Sequence, residues 1–111
     1  MAIVSSHLLN SINGSHASGV KIKVNQITKN GLRKKIFQTL TDKNGRFSRE
    51  LKLAKKDYNL EYEIIVNLQD YFKKKTNVSN IVINFKMNNP KKKYHIPIMI
   101  SPNSYSVWWS K

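Results

Sequence analysis

Apolar and polar positions alternate with a period of two along nearly the whole chain, and the three-to-four spacing of an amphipathic helix is missing. Val20-Lys21-Ile22-Lys23-Val24 shows the pattern most cleanly, with branched residues facing one way and lysines the other. The same reading predicts strands over 3–9, within 32–40, and over 46–51, 60–66, 81–85, 94–100 and 105–109. Between them, 68–75 has room for one or two helical turns. Asn44-Gly45 is the pair favoured in type I′ turns, whose central residues both need positive φ, so 46–51 is expected to return as a hairpin strand. Ser101-Pro102-Asn103-Ser104 reads as a turn. Eight short strands at this spacing predict an all-β chain folded as two packed sheets, a β-sandwich. The 111 residues make one domain, 1–111, with no room for a second core.

The segment 94–100 says more than its neighbours. Tyr94, Ile96, Ile98 and Ile100 fall on one face, and His95, Pro97 and Met99 fall on the other. The first strand is similar, with Val4, Ser6 and Leu8 opposed to Ile3, Ser5, His7 and Leu9. Strands apolar on both faces are covered on both faces, so a second subunit is the expected cover. Pro97 has no N–H to give a ladder and suits an edge or a bulge better than a regular central strand. Such local conflicts tend to mark functional positions.

Charge changes the picture less than its size suggests. Twenty Lys+Arg against six Asp+Glu leave a net +14, a balance associated with nucleic acid or anionic membrane. Seventeen of the twenty are lysine, however, and Arg, the residue of bidentate phosphate and base recognition, occurs only at 33, 46 and 49. Lys, Asn and Ile, all encoded by A- and T-rich codons, make up 42 residues. The runs Lys73-Lys74-Lys75 and Lys91-Lys92-Lys93 sit between strands, where solvated loops belong. Nucleic acid is therefore not the expected partner. There is no cysteine, hence no disulfide or zinc–thiolate site, and three histidines without a carboxylate cluster support no metal. The apolar runs are too short to span a bilayer, and no secretory pattern opens the chain, which makes the cytoplasm the default compartment.

Three separated segments resemble one family. Val4-Ser5-Ser6-His7-Leu8-Leu9 is similar to its Ser-Ser-His opening. Thr41-Asp42-Lys43-Asn44-Gly45-Arg46 resembles its T-D-x-x-G-R turn, and the run from Tyr94-His95-Ile96-Pro97 to Ser101-Pro102-Asn103-Ser104-Tyr105-Ser106 resembles its Y-H-[IV]-P-L-L-L-S-P-x-x-Y-S signature. The family is that of the transthyretin-like 5-hydroxyisourate hydrolases. The resemblance implies an eight-stranded sandwich with one short helix, assembled as a homotetramer of two dimers around a channel lined by the first and last strands. It also implies hydrolysis of a small purine-derived substrate, 5-hydroxyisourate, to 2-oxo-4-hydroxy-4-carboxy-5-ureidoimidazoline in urate breakdown, with no cofactor. The implied catalytic set is His7, Arg46 and His95. Substrate binding would fall to His7, Arg46 and Trp108. The family ends in Tyr-Arg-Gly-Ser, and this chain ends in Trp108-Trp109-Ser110-Lys111, which keeps an aromatic face but loses a phenol and a guanidinium. Asn10 stands where an Asp is common.

The chemistry suits these residue types. Opening a cyclic amide needs a base for water, donors for the developing oxyanion and a proton for the leaving nitrogen. An imidazole titrates near pH 6.5, so one of His7 and His95 can take the proton while the other orients or donates. Arg46 stays cationic throughout. His16, in a Gly/Ser-rich turn, reads as an ordinary polar residue, as do Ser5 and Ser6. The competing reading is a transthyretin-like binding protein whose altered tail has ended catalysis.

Overall fold

The computed structural model describes residues 1–73 and 75–110. Its strands are β1 (Ala2–Asn10), β2 (Lys21–Ile27), β3 (Arg33–Leu40), β4 (Arg46–Leu51), β5 (Glu61–Asn67), β6 (Asn80–Lys86), β7 (Lys93–His95), β8 (Ile98–Ser101) and β9 (Ser104–Val107). One helical turn, α1 (Leu68–Tyr71), follows β5, and a 3₁₀ turn occupies Lys55–Asp57. One sheet runs β3-β2-β5-β6. The other runs β4-β1-β8-β9, with β7 also paired to β1. The two layers enclose a core in which Val4, Leu8, Ile22, Val24, Ile64, Val66, Ile81, Ile96 and Ile98 lose essentially all solvent contact. These are the positions that the period of two turns inward, and burying each aliphatic side chain contributes about 1.5–3 kcal/mol.

There are nine strands where the sequence pattern predicts eight, and Pro97 is the cause. β7 and β8 both lie parallel to β1 in one continuous register, Ser5 opposite His95 and Leu8 opposite Ile98, so they are a single strand interrupted at 96–97. Without an N–H, Pro97 cannot carry the ladder through. The gap is bridged locally. Ile96 donates its N–H to the Ser5 carbonyl, and the buried Ser6 hydroxyl donates to the Ile96 carbonyl at 2.6 Å.

The expected hairpin across Asn44-Gly45 does not form. β3 pairs with β2 and β4 pairs with β1, so the connection passes from one sheet to the other. Gly45 has φ +73, but Asn44 does not reach positive φ. The turn is set by Asp42, whose carboxylate accepts from the N–H groups of Asn44 (2.9 Å) and Arg46 (3.0 Å). Thr41 anchors the crossing. Its buried hydroxyl donates to the Ala17 carbonyl and accepts from the Val20 N–H.

Gly45 also closes onto β1, where its carbonyl accepts from the Leu8 N–H at 2.7 Å. A Cβ there would collide with the Leu8 carbonyl oxygen, and the positive φ would be strained as well. Gly45→Ala is therefore expected to lower the unfolding free energy by about 1–3 kcal/mol, measured by urea denaturation. An unchanged midpoint would show that the turn does not need this close approach.

Candidate active site

β1 carries the site on its outward-facing positions. Its inward residues Ala2, Val4, Ser6 and Leu8 are buried, which leaves Ile3, Ser5, His7 and Leu9 on the opposite face. Arg46, the first residue of β4, sits directly across from His7 in the antiparallel ladder. His95 sits directly across from Ser5 on the other side of β1. Directly opposed residues share a face with Cβ atoms about 4.5–5.5 Å apart, and diagonal neighbours lie about 7–8 Å apart. Three residues separated by up to 88 positions in the chain thus meet on one patch of sheet. Beside them, Ser5, Asp42, Arg46, Ser48, Lys93 and His95 line an open depression of about 250 Å³.

Each imidazole has one nitrogen against another side chain. His95 Nδ1 lies 2.8 Å from the Ser5 hydroxyl, and Nε2 has no protein hydrogen-bond partner among the described residues. His7 Nε2 lies 2.9 Å from Nδ1 of His16, with ring centroids 5.1 Å apart. Both rings titrate below the ordinary value. For His7 the causes are partial burial, then the Arg46 cation and His16, opposed by a hydrogen bond to the Asn44 backbone and by Asp42. For His95 they are partial burial, then Lys93, Arg46 and His7. Asp42 is the counter-charge. The Arg46 backbone N–H, above all, holds its carboxyl below the usual carboxylate range, so it stays ionised beside the cations.

Ser5 and His16 are the residues in contact with this patch that sequence reasoning treats as ordinary. Ser5 had a usable signal, since it shares the parity of His7 on β1. His16 had none. It reaches the site because the chain reverses at 11–15, with Asn10 donating to the Ser15 carbonyl and accepting from Gly14, and this lays Leu9 against His16. Trp108 arrives by a third route. The tail continues β9 alongside 95–97, with Trp108 N–H to the Pro97 carbonyl and Ser110 N–H to the His95 carbonyl, which sets Trp108 opposite Pro97. It is half exposed, lines a shallow apolar depression with Trp109, Phe85 and Ile83, and makes no hydrogen bond to His7, Arg46 or His95 among the described residues. Lys111, the last residue of the altered tail, and Lys74, in the first lysine run, lie outside the described residues. No group of three or more potential metal ligands occurs among the described residues, and none of their helices is long and apolar enough to cross a membrane.

The two-sheet sandwich is of the transthyretin type, and a His–Arg–His patch lies across its strands β4, β1 and β7. The model of the HIUase/Transthyretin family matches residues 4–109, and the chain belongs to that family. Among curated relatives, the 5-hydroxyisourate hydrolase of Pseudomonas aeruginosa is 28% identical over 97% of this chain and 90% of its own. That of Halalkalibacterium halodurans is 25% identical over 95% and 94%. Among solved structures, Klebsiella pneumoniae 5-hydroxyisourate hydrolase superposes with a TM-score of 0.81 at 18% identity, covering both chains completely, a likeness of fold.

Because both pKa values are lowered, the neutral form of each imidazole predominates at pH 7. An NMR titration of the ring protons should put both midpoints on the acid side of 6.5. A midpoint above it for either ring would overturn this account of the electrostatics.

Proposed function

We propose that this protein is a 5-hydroxyisourate hydrolase, converting its substrate to 2-oxo-4-hydroxy-4-carboxy-5-ureidoimidazoline in urate breakdown. The observation that carries the reading is the meeting of His7, Arg46 and His95 on one face of β1, in a chain of this family. His95 is the base. The role needs the tautomer in which Nδ1–H donates to the Ser5 hydroxyl 2.8 Å away, leaving the Nε2 lone pair to take a proton from water. The hydroxide equivalent adds to a ring carbonyl, the adjacent C–N bond breaks, and the nitrogen leaves with a proton. Arg46 holds the oxygen on which negative charge develops, with His7 held beside it. Trp108 offers a face for the flat heterocycle. Lowered imidazole pKa values serve this chemistry, since they keep the base unprotonated at neutral pH.

The chain works in the cytoplasm as a homotetramer in this reading. Half-buried Leu9 and exposed Met99 lie opposite each other on the site face, where a second subunit would cover them and deepen the open depression into a channel. Light scattering should then give four chains per particle.

The test is the decay of freshly generated 5-hydroxyisourate, followed by ultraviolet absorbance. Wild-type protein should accelerate it well above the spontaneous rate, and His95→Asn should lower kcat by about 10²–10⁴-fold while the assembly persists. The double variant Trp108→Tyr with Trp109→Arg should be faster than wild type. A wild-type rate equal to the background would instead favour a binding protein, the function to which the departing tail points.

A further inference from the structure

His16 is a fourth polar side chain on this face, and its backbone is well anchored. It bridges Leu9 of β1, and the next residue, Ala17, donates its N–H to the Leu8 carbonyl at 2.9 Å. Gly45 packs against it from β4's side, in a space that would bring an added Cβ to 3.4 Å from the His16 Cβ. From this base the ring sets Nδ1 at 2.9 Å from His7 Nε2, with the two planes 35° apart. Two imidazole nitrogens at that distance need one N–H and one lone pair between them.

The surroundings decide which ring gives the proton. His7 faces the Arg46 guanidinium on β4, His16 on the 11–17 segment, His95 on β7, and the Asp42 carboxylate and Asn44 backbone in the turn. Arg46 and the partner imidazole both oppose an added charge on His7, so His7 rests neutral and carries one proton. The Asn44 backbone accepts a hydrogen bond from His7. With Nε2 turned to His16, the nitrogen left to carry that proton is Nδ1.

We propose that His16 is a positioning residue: it donates its Nδ1–H to His7 Nε2 and holds His7 as the Nδ1–H tautomer, which cannot act as a base. The consequence for turnover rests on the hydrolase reading above, whereas the bond itself does not. A histidine side chain in water favours the Nε2–H form, so this tautomer is one that His16 imposes. The two histidines of the reaction thereby receive different jobs. His95, with Nε2 free, removes the proton from water. His7, with Nε2 occupied and its Nδ1–H on the Asn44 backbone, is a fixed, non-basic wall of the site beside Arg46.

Two-bond ¹⁵N–¹H correlation spectra of the full chain at pH 8, without substrate, read the tautomer directly. In wild type, His7 should show a protonated Nδ1 and an unprotonated Nε2. His16→Ala should return the pair of shifts toward the Nε2–H pattern of free imidazole and raise the His7 titration midpoint, because a like charge and a bond to the neutral form both disappear. His16→Asn, whose amide N–H can stand where Nδ1 stood, should restore the wild-type shifts. In the ring-opening assay His16→Ala should lower kcat about 10-fold with KM little changed, and His16→Asn should recover most of the loss. An Nε2–H tautomer in wild type, or His7 shifts and midpoint indifferent to His16→Ala, would overturn the proposal. If the shifts respond as stated while wild type leaves 5-hydroxyisourate at its background rate, the reaction assignment falls and the His16–His7 bond stands.

Discussion

Everything at the site hangs on the double ladder along β1. One strand is held on one side by antiparallel β4 and on the other by parallel β7 and β8, so its backbone groups are satisfied in both directions and its register is pinned twice. A slip of one residue would turn Val4 and Leu8 out to solvent and His7 into the core. The hydrophobic demand of the inner face therefore sets the orientation of the outer one. The ladder brings Arg46 and His95 to His7 and Ser5 without a dedicated loop, and rigid strands hold polar groups in place better than loops do.

That arrangement concentrates positive charge, which shapes the chemistry available. Arg46 and His16 disfavour protonation of His7, as Lys93, Arg46 and His7 do for His95, and Asp42, tied down by two backbone N–H groups, is the carboxylate among the described residues that acts on His7. The result is a patch with a permanent cation and neutral imidazoles at pH 7, suited to a substrate that becomes more anionic as it reacts. The large net charge of the chain is a separate matter. It is carried by lysines spread over loops and exposed strand positions such as Lys21 and Lys23, and among the described lysines Lys93 is the one that acts on an imidazole of the patch.

The backbone around the patch departs from regular sheet where polar side chains can replace ladder bonds. Pro97 interrupts the strand, and Ser6 answers with its hydroxyl. Gly45 brings the turn onto Leu8, and Asp42 and Thr41 take up the N–H and C=O groups that the crossing between sheets leaves over. These substitutions let the chain change direction beside a site, and no buried side-chain polar atom lacks a partner among the described residues.

Local pattern was enough for the strands, because a period of two is a property of neighbouring residues: β2, β5 and β6 lie where their alternation puts them, and the inward parity of 94–100 is the one observed. The family signature was equally legible, as were His7, Arg46 and His95 as candidates. Partner choice was not. Asn44-Gly45 between two strand-like runs is compatible with a hairpin, and only competition for β1 in the assembled sandwich sends β3 and β4 to different sheets. The His16–His7 contact belongs to the same class, since it depends on where a turn folds back and on the absence of a side chain at Gly45. Which residues face inward is written in the order of the chain, whereas which side chains meet is a property of strand pairing between distant segments, and no local spacing encodes it.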